Sequence, residues 1–335
     1  MSHLDILLPF SLPPPAMAPD LLRAMQTPSL AMLLARSNLL HSDSHDPYAR
    51  ALPHEFWLAQ AIGLPFDAAA ANTPPVALHA MQQRGVATPP GIWFMLHPVH
   101  IHIARDHLVL TDRRRLALSE VDARALFTLA APLFEEIGQE LVYGDADHWF
   151  LRADSWRELI TATPDAACGH NIDIWMPKGP GERDWRKVQN EIQMHWHDSA
   201  VNRAREEAGL NPVNSLWLWG AAQAPMIMHK SEYSALFLGT DTDAATVLAA
   251  RPQRGLLMLD GLIEPALGED LNEWLMRINQ LEATWFAPLL RALQDGVFDR
   301  YRLILTSGTV SVERSVSRHG LRKFWRKPSL DGLLA

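Results

Sequence analysis

Residues 190–220, NEIQMHWHDSAVNRAREEAGLNPVNSLWLWG, constrain the fold more than any other stretch of this chain. They read as one helix that stops at a glycine and is followed by an apolar strand at residues 215–219. The helix is expected to begin near Arg183. On a 3.6-residue period, Glu191, His195, Asp198, Asn202 and Arg205 fall within roughly one quarter of its circumference. Val188, Ile192, Met194, Trp196, Val201 and Ala204 occupy the remaining faces, which predicts burial on several sides. A stripe holding two acids, an imidazole, an amide and a guanidinium is richer than a solvated face needs. It is expected to border a concave site together with Trp219.

The last third continues the alternation. A strand at 256–259 ends at Asp260-Gly261, a long amphipathic helix covers 269–293, and a further strand covers 301–305. Short apolar runs alternating with long helices predict an α/β fold. The expected arrangement is a mixed sheet flanked by helices on both faces, with 215–219, 256–259 and 301–305 as strands of that sheet. Earlier, residues 4–10 read as a buried strand, 37–48 as a polar loop, 53–62 as a helix, and 63–75 as a loop with an alanine-rich turn. Pro89-Pro90-Gly91 breaks the chain before β patterns at 92–98, 99–104 and 108–110. Ser119 caps a helix running to about Ile137, and 141–143 and 149–152 form a strand pair. No linker stands out, so residues 1–335 are expected to form one composite domain, with possible lobes at 1–90 and 91–335.

Composition narrows the class. Hydrophobic residues make up 48% and charged residues 20% of 335, a globular balance. The net charge of −8 disfavours nucleic acid and acidic membranes as partners of the body of the protein. Cys168 is the one cysteine, which excludes an intrachain disulfide and a cysteine zinc site and suits a reducing cytoplasm. No run of about 18 apolar residues occurs, so no membrane span is expected. Residues 314–327 carry six Lys/Arg against no acid, with Phe324 and Trp325 interleaved. They read either as a grip for an anionic partner or as a terminal helix anchored by Leu321, Phe324 and Trp325.

The segments NEIQM and VNRAREEAGLNPVNSLWLWG resemble the signature of a proteobacterial group of RpfE-type regulatory proteins, some described as cofactor-independent phosphoglycerate mutase-like. Pro98-Val99-His100, Arg105-Asp106 before Leu108, the 302–305 strand and Phe324-Trp325-Arg326 add to the resemblance, which covers about 93–328. The family's glycine-rich turn after Trp-Gly is replaced here by Gly220-Ala221-Ala222-Gln223. The wider relatives, archaeal-type mutases of the alkaline phosphatase superfamily, imply a three-layer scaffold with two divalent metals and a serine nucleophile. Their metal motif, an Asp-Gly at an early strand end, has no counterpart at Leu8-Pro9-Phe10. Asp260-Gly261 is similar in isolation but lacks the accompanying histidines.

Read from the residues, the stripe is either an anion cleft or an internally satisfied polar network. In the first case Arg205 supplies a bidentate fork, Asn202 and Asn214 supply amide donors, and His195 supplies a proton switch. His100-x-His102 lies on a strand and presents both rings to one side, whereas His195-x-His197 diverges on a helix. No GxSxG turn, Walker loop or Rossmann fingerprint is present. The candidate ligand-binding residues are therefore Glu191, His195, Asp198, Asn202, Arg205, Asn214, Trp219 and His100. The expected ligand is a small anionic metabolite, with a protein partner as the alternative, and no metal or other cofactor is expected. The function expected is a cytoplasmic regulatory or ligand-binding protein on a mutase-like scaffold. The alternatives are an active phosphate-handling enzyme and an interaction module.

Overall fold

A computed structural model describes residues 2–67, 72–239 and 242–334. The alanine-rich turn expected near 68–71 lies outside the described residues. In chain order, β1 (His3–Leu8) is followed by α1 (Ala18–Ala24), α2 (Pro28–Arg36), β2 (Asn38–Ser44), α3 (Pro53–Ala61) and α4 (Ala77–Gln83). Next come β3 (Gly91–Val99), β4 (Ile101–Ala104), β5 (His107–Leu110), α5 (Glu120–Glu135), β6 (Glu140–Tyr143) and β7 (Trp149–Arg152). They lead to α6 (Pro164–Ala167), α7 (Glu182–His197), α8 (Ala200–Glu207), β8 (Ser215–Ala224), β9 (Ala235–Phe237) and α9 (Ala244–Ala250). The chain closes with β10 (Arg254–Met258), α10 (Ile263–Leu267), α11 (Leu271–Leu281), α12 (Ala287–Asp295), β11 (Arg300–Thr306) and β12 (Val310–Ser317). These elements divide into two compact units, Met1–Pro47 with Lys230–Ala335, and Tyr48–His229. The division falls at 47/48 and 229/230.

The first unit is built on a mixed six-stranded sheet of order β2-β12-β11-β1-β10-β9. β1 runs parallel to both β10 and β11, and β12 is antiparallel to β11 and β2. A central parallel strand is covered on both faces, which is why β1 is nearly all apolar. Leu4, Ile6 and Leu8 face a core shared with Leu33 of α2, Ile278 of α11 and Leu289 of α12. The predicted helix over 269–293 is there as α11 and α12, capped by Asp270 and joined through a π-helical turn at Glu282–Phe286. Apart from the half-buried His3 at its start, Asp5 is the polar residue on β1. It is buried and accepts hydrogen bonds from the Tyr233 hydroxyl at 2.6 Å and from Arg302 Nη2 at 2.6 Å.

The second unit holds an antiparallel sheet of order β6-β7-β3-β8 and the separate hairpin β4-β5. Helices α5 and α7 pack on a tryptophan-rich core that includes Trp149, Trp185, Trp196 and Trp217, while α4 joins a smaller core with Trp93 and Phe150.

All three predicted late strands exist, but 215–219 belongs to β8 in the four-stranded sheet, apart from β10 and β11. An apolar run specifies a strand locally, whereas its sheet is chosen by its pairing partner, here β3. β8 also continues past Gly220, whose φ of +70° lets the strand bulge against β3. The polar loop expected at 37–48 contains strand β2, held at the sheet edge by β12. Over residues 314–327 the end of β12 and one 3-10 turn, Gly320–Arg322, replace the anchored helix: Leu321 is buried, but Phe324 and Trp325 are 82% and 68% exposed. Among the described residues no helix is long and apolar enough to cross a membrane.

Candidate functional site

Helix α7 begins where the loop Gly179-Pro180-Gly181 turns sharply. Gly181 has φ +99°, and a Cβ there would lie 2.5 Å from Trp156 Cδ1, so the position demands glycine. Glu182 accepts a hydrogen bond from the Gly179 N–H at 3.1 Å and steadies the turn. The helix buries Trp185, Val188, Ile192 and Trp196, one face at helical spacing. Met194 and Ala204, expected to be buried, instead face solvent.

The polar stripe does not ride on one helix, contrary to the spacing argument. α7 ends at Asp198, and Ser199 caps a new helix by accepting from the Asn202 N–H at 3.1 Å. Glu191, His195 and Asp198 stay with α7, and Asn202 and Arg205 belong to α8. Glu191 is half-buried beside Lys187 at 3.8 Å, and His195 and Asp198 are exposed.

Asn202 and Arg205 are buried braces. The Asn202 amide donates to the Trp196 and Val213 carbonyls and accepts from the Val213 N–H, each at 2.8 Å. Arg205 donates to the carbonyls of Asn211 at 2.9 Å, Ala117 at 3.5 Å and Leu116, with Asp122 3.9 Å away. Its guanidinium gathers backbone carbonyls and presents no open fork. Asn214 likewise donates to the Ile101 carbonyl at 2.7 Å and accepts the Ile101 N–H at 2.8 Å, pinning β4 to the start of β8. His100 Nδ1 bonds the Pro212 carbonyl at 2.8 Å, and its ring stacks on His102 at 6.0 Å, on one side as the strand spacing predicted. Trp219 is half-buried and stacks on buried His97 at 5.9 Å.

A cavity of about 550 Å³ opens on another side of α7. Arg186, Gln189, Asn190 and Gln193 line it from the helix, and Ile101, Ile103 and Leu108 line it from the β4-β5 hairpin. Of the eight sequence-predicted residues, only Asn214 reaches it. Gln189 is tied to Ser215 Oγ and the Leu216 carbonyl. The side chains of Arg186, Asn190 and Gln193 are exposed and have no hydrogen-bond or ionic partner among the described residues. Asp173 also lines the cavity and does not pair with Arg186. Spacings of four and three residues put 186, 190 and 193 in one row, a signal present in the sequence but outshone by the richer stripe opposite.

Sequence reasoning also missed a buried ionisable group. His54, Glu55 and Asp165 bring one ligand atom each within 4.8 Å of one another. Pro53 and Pro164 start α3 and α6, and the two helix starts meet here. Arg114 clamps Asp165 with two bonds, at 3.0 and 2.6 Å, and also donates to Asp112 at 3.0 Å. Glu55 Oε2 accepts from the Leu52 N–H and from the Thr163 hydroxyl, both at 2.7 Å. Burial, with Asp165 adding to it, pushes the Glu55 carboxyl up to about 8, and burial lowers His54 to about 4. Burial opposes ionisation of Asp165, but Arg114 overrides it and holds that carboxyl below the usual range. Burial also raises the Cys168 thiol to about 12, which leaves it an inert core group.

The two-metal chemistry implied by the resemblance does not fit these residues. Among the described residues this one group has metal-like spacing, it offers three donors, and both Asp165 oxygens are already held by Arg114. β1, β10 and β11 run parallel and bring their carboxyl ends to one edge of the sheet, the usual ligand position in such sheets. The first strand ends there in Pro9-Phe10, which offers no ligating side chain.

No family model matches the chain. A probable 2,3-bisphosphoglycerate-independent phosphoglycerate mutase of Geobacter sulfurreducens is 27% identical over 142 residues, 39% of this chain and 33% of that protein. A 2,3-bisphosphoglycerate-independent phosphoglycerate mutase of Methanosarcina mazei is 30% identical over 87 residues, 23% of this chain and 22% of that protein. The chain thus spans a third or less of the curated relatives it matches. Among solved structures, the PH0037 protein of Pyrococcus horikoshii is similar with a TM-score of 0.55 at 12% identity, covering 99% of this chain and 92% of that one. The chain has weak sequence similarity to cofactor-independent phosphoglycerate mutases, and its fold is an α/β scaffold with a mixed sheet flanked by helices.

Proposed function

We propose that this protein is a cytoplasmic, RpfE-type regulatory protein that binds a small anionic ligand on a mutase-like scaffold and does not carry out two-metal phosphoryl chemistry. One observation carries the reading: the open row of Arg186, Asn190 and Gln193 over a cavity of about 550 Å³. A guanidinium and two amides with no partner among the described residues are donors waiting for an acceptor, and the volume suits a small molecule. Arg186 replaces Arg205 as the charge that receives the anion. Calorimetric titration of the protein with inorganic phosphate and with phosphoglycerate tests it, in the native chain and in Arg186→Gln. Binding that the substitution weakens about tenfold supports the reading, and binding indifferent to it refutes it. Manganese-dependent turnover of phosphoglycerate, lost on metal removal, would restore the enzyme alternative.

A second reading, docking of an acidic protein partner, is favoured by one feature. Phe324 and Trp325 are exposed, pack edge to face at 5.3 Å, and are flanked by Arg322, Lys323, Arg326 and Lys327. Exposed aromatics beside cations are the kind of residue that anchors interfaces. An acidic test peptide whose affinity is unchanged in Trp325→Ala would remove it.

A further inference from the structure

The anion cavity has a second wall whose chemistry is the opposite of the first. Ile101, Ile103 and Leu108 project from one face of the β4-β5 hairpin, with Ile103 and Leu108 directly paired across it. Ile103 is 76% exposed and Leu108 is 41% exposed, while Ile172 and Met176, buried, continue the apolar lining inward. An isoleucine left three-quarters in water has no part in the core of its own unit. A polar row facing an aliphatic wall across one cavity favours a ligand divided in the same way.

We infer that the ligand is an amphipathic anion, a carboxylate or phosphate ester with an unbranched or lightly branched aliphatic tail. The head group meets Arg186, with Asn190 and Gln193 as supplementary donors, and the tail lies on Ile103 and Leu108 and runs inward toward Ile172 and Met176. A compact polyhydroxylated phosphate leaves the aliphatic wall wet and gains nothing from it. This inference rests on the proposed anion cavity and narrows it to one class of ligand. Asp173, the acid in the lining, disfavours a second negative charge on the ligand, and so favours a carboxylate head over a phosphate monoester, which carries close to two charges near neutral pH.

The test uses the full chain and a homologous series, hexanoate, octanoate and decanoate, with inorganic phosphate as the tail-free probe, all titrated calorimetrically below micellar concentrations. Affinity is expected to rise on the order of twofold to threefold per methylene added, the range for partial burial of a tail. In Ile103→Ser the dependence on tail length should flatten, while phosphate binding stays as it was. In Arg186→Gln every member of the series should weaken about tenfold. Because Ile103 and Arg186 are exposed, both variants should melt with the parent, and a thermal melt checks that. Affinity independent of tail length, with phosphate still weakened by Arg186→Gln, overturns the amphipathic ligand and leaves the anion site standing. Binding of no probe, or binding unaffected by Arg186→Gln, overturns both.

Discussion

Helices α7 and α8 follow one another within a single block of sequence, yet their polar side chains have opposite fates. On α8, Asn202 and Arg205 are 1% and 3% exposed, and every contact they make is inward, mostly to backbone carbonyls. On α7, Arg186, Asn190 and Gln193 line a cavity and have no partner among the described residues. The difference separates two uses of the same chemistry. A buried guanidinium satisfied by carbonyls fixes the path of a loop, here 209–214, whereas an unpartnered one beside a cavity is available to a ligand.

The largest effect should come from breaking the α8 side. Arg205→Ala leaves the Leu116, Ala117 and Asn211 carbonyls without their donor, and is expected to cost about 3 kcal/mol in urea denaturation. Arg205→Lys should cost about 1–2 kcal/mol, since one ammonium cannot reproduce a fork reaching three carbonyls. If that variant kept its stability and lost anion affinity instead, the contrast between the helices would collapse. Asn202→Ala comes next, at about 2 kcal/mol for three hydrogen bonds lost in a buried site.

A smaller effect concerns the His54–Glu55–Asp165 group, which resembles α8 in being internally occupied. Glu55 has a folded pKa raised from 4.5 to about 8, so the folded chain keeps a proton that the unfolded chain has released. Stability therefore falls as pH rises through that interval. His54, lowered from 6.5 to about 4, acts in the opposite sense, and its contribution is lost as pH falls below 6.5. The two oppose each other between about 4.5 and 6.5, and only the Glu55 slope is left from 6.5 to 8. Glu55→Gln keeps an oxygen for the Leu52 N–H and should abolish that decline in a pH series of denaturation curves. A decline that survives the substitution would assign it to another group.

The smallest effect on stability belongs to the α7 row. Arg186→Ala should stay within about 0.5 kcal/mol of the parent, since this exposed side chain has no partner among the described residues. A substantial loss of stability would place Arg186 in the fold with Arg205 and sharpen the contrast against the proposed site.

The polar stripe shows what periodicity can and cannot deliver. Counting residues at 3.6 per turn groups Glu191 with Arg205 only if the helix is unbroken, and Ser199 breaks it. The break is written in the sequence, since serine is among the best N-caps, but a continuous polar pattern masks one capping residue. His54 and Glu55, in contrast, lie 111 and 110 residues before Asp165, and no local pattern announces their meeting.

By itself the sequence determined the element types: the apolar run of β1, the amphipathic pattern of α11 and α12, the capped start of α5 by Ser119, and the glycine loop before α7. These follow from interactions between near neighbours, which hydrophobic period and capping chemistry encode directly. Only the tertiary structure decided that β8 joins β3 and leaves the sheet of β1, that Arg205 ends among carbonyls, and that Arg186 faces an aliphatic hairpin across a cavity. Each of those outcomes depends on which distant backbone arrives beside a side chain, and a residue's chemistry is the same whether its partner is a carbonyl of its own chain or a ligand.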